Sequence, residues 1–288
     1  MHPSKSPRRP KSLRPNESVW TAFPLLVYPY LGTGLLAFAA ERADSWALRL
    51  LILPLIGGFQ NHLQVLSHEG AHLQIHPNRR WNDLLTNAFC SVPFFGFLSH
   101  YRKFHLDHHR FLCDPERDPE VSFYAEQGYH FRPMGRVGRA KMLALDFVGY
   151  HFCQFFFAYN RYLFSETRAR RLDPPTKDEI GAAFWLFLGT GYFLIGFPHG
   201  PFLFFYYWLL PQATFMFLFL KLQGYGEHTA RTSHAETCTL SHDANPIVRF
   251  FIFPFNSDRH REHHVYPTVP WYRLRGFRVY STIRLGPD

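Results

Sequence analysis

The sequence predicts an all-α integral membrane protein: four transmembrane helices in two hairpins, with a cytoplasmic helical cap holding a histidine-rich di-metal site. Three observations carry this expectation. Residues 180–220 form a run of 41 residues without one Asp, Glu, Lys or Arg, about twice the ~20 apolar residues that a spanning helix needs. A second pair of apolar runs lies upstream, at 19–40 and 46–66. Histidine falls in three clusters, HEGAH at 68–72, HLDHH at 105–109 and HREHH at 260–264, all in polar segments outside those runs.

The elements follow in order. Residues 1–18 carry Lys5, Arg8, Arg9, Lys11 and Arg14 among prolines and are expected to form a disordered basic tail. The apolar run behind the tail is too long for a signal peptide and lacks a small-residue cleavage site. Residues 19–288 read as a single membrane domain. Its first span, 19–40, ends at the charged break Glu41-Arg42-Ala43-Asp44, and the second, 46–66, carries only Arg49. Residues 84–101 are uncharged, but Pro93 and Gly96 interrupt them. A crossing there would put the first two histidine clusters on opposite faces, so a re-entrant or interfacial segment is expected. Residues 142–164 are apolar apart from Asp146, His151 and Arg161, the pattern of a helix lying at the interface. Spans three and four, 180–197 and 202–220, are divided by Pro198-His199-Gly200-Pro201, a turn signal. Residues 67–179 and 221–288 are then cytoplasmic.

The net charge is +9, and its placement sets the orientation. Basic residues crowd the N-terminal tail, the middle segment and the C-terminal tail, while Pro198–Pro201 has none. The positive-inside rule places both termini and the intervening segment in the cytoplasm. With 18% aromatic residues and long apolar runs, lipid head groups rather than nucleic acid are the expected counter-charge. The four cysteines, Cys90, Cys113, Cys153 and Cys238, are scattered without a C-x-x-C and read as free thiols in a reducing compartment.

Two clusters repeat H-x-x-H-H. On a helix, positions i, i+3 and i+4 share a face, so each cluster is expected to aim its imidazoles at one point. Neutral imidazole is the commonest metal ligand. His68, His72, His105, His108, His109, His260, His263 and His264 are too many for one ion, so two are expected. With the topology above, all three clusters reach the same membrane face. His228, shortly after the last span, joins them as a ninth candidate. Glu69, Asp107, Glu227 and Glu262 are placed to accept the second N–H of a ligating imidazole, and Asn256 could act through a water. His62, His76, His100, His130, His151, His199, His234 and His242 lack cluster spacing and read as satisfied or solvated.

The same residues admit rivals. His68-Glu69-x-x-His72 matches the H-E-x-x-H of zinc proteases, with Glu69 as general base, but this leaves two clusters unused. A carboxylate-rich di-iron bundle needs two E-x-x-H pairs, and only Glu69-x-x-His72 fits. A metal transporter would place polar ligands near mid-bilayer, whereas these lie outside the spans. A histidine-rich, carboxylate-poor pair of sites suits iron and O₂ activation better than a closed zinc site. The targets that need such an oxidant are unactivated C–H bonds, which lipid chains supply.

With these residues in view, the chain resembles the membrane fatty acid desaturase family. His68–His72 followed by Asn78-Arg79-Arg80-Trp81-Asn82-Asp83 is similar to the first histidine box and its trailing motif, and Tyr101–His109 to the second box. Asp114-Pro115 and Asp118-Pro119 resemble the acidic Pro motif behind it. Glu227-His228-Thr229 resembles the isolated histidine before the third box, and Arg261–Pro267 with Val269–Leu274 the third box and its tail. The resemblance implies a non-haem di-iron centre ligated by all nine histidines, O₂ as oxidant, and a lipid acyl chain as substrate. A separate ferredoxin- or cytochrome b5-type donor would supply electrons, since no H-P-G-G haem signature is present. Carotenoid hydroxylases and ketolases have similar boxes, so hydroxylation or ketolation of a lipid or carotenoid is the alternative outcome. One departure stands out. Acyl-lipid desaturases carry Asn-x-Asn-Tyr-His before the third box, whereas here the run is Asn256-Ser257-Asp258-Arg259-His260. Asp258 and Arg259 bear on substrate and regiochemistry rather than on the metal site.

Overall fold

Arg49, the one charge within the second apolar run, is buried and turned back toward the break that precedes it. Its guanidinium donates to Glu41 at 2.9 and 3.0 Å and to Asp44 at 3.2 Å, across the tight turn at Asp44 (φ 44°). A charge that would be costly in hydrocarbon is thereby paired at the membrane edge. The turn joins α1, Val19–Ala43, to α2, Trp46–Ala71, which pack along each other. The Ser45 side chain caps α2 by accepting from the Leu48 N–H. The computed structural model describes residues 19–121, 135–169, 172–228 and 238–277. The basic tail at 1–18, His130, His234 and the last residues of the C-terminal tail lie outside them.

All regular structure among the described residues is helical. After α2 come α3, Arg79–Thr86, and α4, Leu98–Phe111; then α5, Arg136–Phe147, and α6, Tyr150–Arg168. Next are α7, Lys177–Gly196, and α8, Gly200–Glu227. Short helices α9, Pro246–Phe251, and α10, His260–Val265, follow, with a 3₁₀ turn at Trp271–Gly276. Among the described residues, four helices are long and apolar enough to cross a bilayer: α1 from Ala22, α2, α7 and α8. They outrun the expected spans at several ends, because helix continues past the apolar run until a residue such as Leu73 (φ 60°) stops it. Burial ranks them. α2 is 67% buried in its apolar window, against 17% for α1 and 11% for α7. α2 is the core helix, and the outer two show Leu35, Phe38, Trp185 and Ile195 outward, as lipid-facing helices do.

Polar side chains inside the apolar runs hold the helices together. Gln60 of α2 donates to the Trp208 carbonyl of α8 at 2.8 Å, and Asn61 to the Phe251 carbonyl of α9 at 3.0 Å. His62 bonds the Phe250 carbonyl at 2.8 Å and the Tyr28 hydroxyl, so it is a satisfied core histidine as its isolation suggested. Gly57 lets α8 approach closely: a Cβ there would lie 2.5 Å from the Phe215 Cβ. Around Pro211, which cannot donate a backbone bond, α8 opens into wide turns at Phe205–Leu209 and Gln212–Met216.

The uncharged run at 84–101 is broken around Pro93 and Gly96, as those two residues suggest. A wide turn at Asn87–Ser91 and a 3₁₀ turn at Val92–Phe94 lead to Phe95 (φ 65°), and α4 then starts anew. The run at 142–164 is likewise two helices, because Gly149 (φ 74°) breaks it between α5 and α6. The expectation of four free thiols also fails: Cys113 and Cys238 form a disulfide, their Cα atoms 6.5 Å apart. Cys113 sits in a left-handed turn (φ 61°) just after α4, and His228 pairs with Thr239. These contacts bring the two sulfurs within the reach a disulfide requires. Cys90 and Cys153 are free.

Candidate metal centre

α2 delivers His68 and His72 from its last turn, where two partners hold its terminal carbonyls. Arg102 of α4 donates to the Gly70 and Ala71 carbonyls at 3.0 Å each and to Asp83 of α3. Asn82 donates to the Gly70 carbonyl at 2.9 Å. These bonds satisfy carbonyls that a helix end leaves unpaired, and they set α2 against the helix carrying the second cluster. Gly70 is required for this packing, since a Cβ there would lie 2.4 Å from Thr86.

The nine histidines come together in two adjoining groups. His68, His72, His105, His109 and His263 make the first and His108, His228, His260 and His264 the second; within each, the potential ligand atoms lie within 4.8 Å of one another. Stacked His109 and His264 rings, 4.2 Å between centroids, join the groups. Each H-x-x-H-H cluster is therefore divided rather than aimed at one point. His105 and His109 (i, i+4) go to the first group while His108 goes to the second; His260 and His264 go to the second while His263 goes to the first. The reason is angular. At 100° per residue, i and i+4 lie about 40° apart, whereas i+3 falls on the other side of i, and a helix wedged between two centres serves both.

The nitrogens converge as metal ligands do. Nε2–Nε2 separations are 2.8 Å for His72–His105, 3.1 Å for His109–His105, 2.9 Å for His260–His228 and 2.9 Å for His264–His260. The buried Nε2 atoms of His68 and His108 have no protein partner. Burial comes first, and mutual repulsion of imidazolium charge second, in holding His72, His105, His228, His260, His263 and His264 well below the ordinary histidine value. His109 is lowered to about 3. Neutral imidazoles gathered nitrogen to nitrogen, with orphaned buried lone pairs, fit metal cations well.

His108 is the exception, and its acidic neighbours are set by the fold rather than by ligand spacing. Burial works to lower it, but Glu120 and then Asp118 more than offset this and raise it. Its Nδ1 lies 3.0 Å from both Asp118 oxygens and 3.2 Å from Glu120. A carboxylate on the far nitrogen turns the other toward a metal. The Asp118-Pro119 motif was visible in the sequence, but its role was not. Among the acids expected to support histidines, Glu69 contacts His68 Nδ1 at 3.1 Å and Glu227 lies 3.6 Å from His260 Nδ1. Glu262 takes the Ser241 hydroxyl. Asp107 instead pairs with Lys103 on the surface. Asn256 is used by the C-terminal tail, donating to the Trp271 carbonyl at 3.1 Å and accepting from Arg275 at 2.6 Å.

The unclustered histidines have other partners. His76 accepts from the Asn78 N–H, His100 bonds the Asp173 carbonyl, and His242 the Gly226 carbonyl. His151 and Lys221 share Asp146, each 2.6 Å from Oδ1; His199 occupies the turn between α7 and α8.

A chamber of about 220 Å³ opens onto the groups at His68, His105, His260 and His263. Phe94, Phe104, Phe155 and Phe217 make much of its wall, and Gln64, Gln212, Gln223 and Ser257 interrupt that wall with polar groups.

Four helices long and apolar enough to cross a membrane, together with two histidine groups able to bind metal, are the marks of an integral membrane protein with a candidate metal centre. A family model described as fatty acid desaturase matches residues 44–281, and the chain belongs to this family. It is also 27% identical over 242 residues to the dihydrorhizobitoxine desaturase of Bradyrhizobium elkanii, a match covering 82% of this chain and 68% of that protein.

Proposed function

We propose that this protein is an O₂-dependent, non-haem di-iron desaturase that removes hydrogen from an aliphatic substrate held in the chamber. The observation that carries the proposal is the division of nine histidines into two adjoining groups, four of whose members line that chamber. Two such groups provide for two ions, and imidazole donors with few carboxylates suit iron. Bound iron would supply the electrons with which O₂ can be made to attack an unactivated C–H bond.

The chain's own residues have definable parts. The nine histidines would hold the metals, and Asp118, Glu120 and Glu69 would fix the orientation of His108 and His68. The phenylalanine wall would exclude water and fix which carbon approaches the centre. A lipid acyl chain arriving from the bilayer is the substrate that family membership implies. The relative is named for desaturation of dihydrorhizobitoxine, so dehydrogenation is what the two names share, and this favours a double bond over a hydroxyl or keto group. Electrons would come from a separate ferredoxin- or cytochrome b5-type protein docking on the face that carries the histidines. The basic segments put that face, with both termini, in the cytoplasm. The zinc protease reading loses ground, because His68 and His72 are gathered with three further histidines.

Elemental analysis of freshly purified protein tests the proposal. About two irons per chain, with donor- and O₂-dependent appearance of a double bond in product, is the expected result. One zinc without iron would overturn it.

A further inference from the structure

We infer that Cys113 and Cys238 form a thiol-redox site that governs metal binding by the second histidine group: when their disulfide opens, that group loosens and releases its metal. The inference rests on the metal centre proposed above and adds a regulation to it. Contacts run from this one bond to both sides of the group. Cys113 opens the loop after α4, and its backbone N–H donates to Asp118 Oδ2 at 2.8 Å. Asp118 in turn faces His108 Nδ1 with both oxygens at 3.0 Å. Cys238 precedes Thr239, which pairs with His228, and Leu240, whose N–H donates to the Glu227 carbonyl at 2.8 Å. The Thr239 carbonyl accepts from the Arg261 guanidinium at 2.9 and 2.6 Å, next to His260 at the start of α10. His264 follows on the same short helix. Both sulfurs also lie within 4.8 Å of a His228 ring nitrogen. His108, His228, His260 and His264 make up the second group. The first group, by contrast, draws His68 and His72 from the end of α2, which Arg102 and Asn82 hold independently of the disulfide.

The placement of the bond makes it a switch rather than a permanent staple. Cys113 is half-buried and Cys238 buried, so a thiol approaches from the Cys113 side. The orientation proposed above puts the pair on the cytoplasmic face, where reductants keep thiols reduced and disulfides, when they form, are mostly transient or redox-sensing. A thiolate of a dithiol reductant attacks Cys113 Sγ, forming a mixed disulfide and expelling Cys238 as a thiolate, which takes up a proton. The reductant's second thiol then attacks its own sulfur in the mixed disulfide and frees Cys113. Two electrons and two protons pass to the pair, and the reductant leaves as a disulfide. The closed bond joins segments 125 positions apart in sequence. Once it is open, no covalent tie keeps the Asp118 loop against the Thr239 segment. A ligating histidine that loses its supporting partner costs about 10- to 100-fold in metal affinity. The coupling is reciprocal: metal held by the second group makes the disulfide harder to reduce by the same factor.

The test equilibrates the detergent-solubilised full chain, purified with its metal, in graded mixtures of reduced and oxidised dithiothreitol with a calibrated chelator present. Metal retained per chain is read by elemental analysis, and thiols freed by alkylation after a denaturing quench. Opening of the pair is expected to lower the affinity for one of the two ions about 10- to 100-fold, reversibly, and prior removal of metal should ease reduction by the same factor. At a fixed ratio, diluting both forms of dithiothreitol leaves the state of the pair unchanged, so metal stripped by the reagent itself would fall and metal released by opening would not. Cys113→Ser combined with Cys238→Ser should show the weaker affinity at every ratio; if that variant does not fold, the reversible titration of the native chain decides. Metal content independent of the thiols freed, or a pair that never opens, overturns the inference. Loss of both ions together with helical signal also overturns it, because the bond would then be a staple of the fold. If two irons stay bound whatever the pair does, the proposed function survives without the inference. If zinc is the metal released and recovered with the pair, the inference stands and the proposed function fails. No metal at any ratio overturns both.

Discussion

His263 Nε2 lies 3.1 Å from His109 Nε2, so the middle histidine of the last cluster belongs with the outer histidines of the second. His108 makes the reciprocal exchange, with its ring 5.0 Å from that of His264 and 4.9 Å from that of His228. The two short helices α4 and α10 thus share both groups, and the first group cannot be complete until residues 154 positions apart in sequence have met.

This exchange predicts that His108→Ala and His263→Ala injure different groups. Each variant should lose activity by more than about 100-fold, the upper end of what losing a supporting residue costs. Each should retain part of its iron while the double variant retains almost none. Metal content and turnover of membrane-inserted protein check it; loss of all metal from one variant alone would mean that a single group holds everything.

Asp118→Asn and Glu120→Gln should each lower iron affinity or activity about 10- to 100-fold, because His108 Nδ1 faces both carboxylates. Asp107→Asn should change neither, since its partner is Lys103. Competition with a calibrated chelator measures the difference.

Much of this centre was legible in the sequence. The nine histidines were found from spacing and from their level relative to the spans. Asp118 and Glu120 were not assigned, because the loop after α4 folds back ten residues onto His108, and local spacing says nothing about a fold-back.

Arg102→Leu should destabilise the protein by about 1–3 kcal/mol, the cost of leaving polar groups unpaired, since the half-buried Asp83 and two carbonyls of α2 lose their donor. A lowered inactivation temperature, with iron lost at the same temperature, is the expected result. An unchanged temperature would show that Asn82 holds the α2 end alone.

Acidification should release metal and destabilise the chain together. For a histidine whose folded value is lowered, the unfolded chain binds more protons once pH falls below about 6.5. The contribution of His72, His105, His109 and their neighbours is therefore complete above that pH. It declines as pH falls through the folded values, toward about 3 for His109. His108, raised by Glu120 and Asp118, has the opposite sign: its contribution is present below about 6.5 and lost as pH rises through its folded value. With several lowered histidines against one raised, iron content and thermal stability should both fall between pH 6.5 and 5. A profile flat over that range would contradict the burial of the imidazoles.

Alkylation should label Cys153 readily and Cys90 only after unfolding, with Cys113 and Cys238 labelled only after reduction as well. Mass measurement of the labelled chain counts the thiols at each step. Four thiols reactive without reductant would show that the pair is open.

The sequence by itself determined the helical class, the four apolar spans and the identity of the histidines. These rest on local quantities: runs of uncharged residues long enough to cross a bilayer, and ligands spaced at one helical turn. Tertiary structure decided which histidines are gathered into each group and which acids lie against them. Those outcomes depend on the rotation of one helix against another and on where loops return, which contacts such as Arg102 with the α2 carbonyls fix and no local pattern encodes.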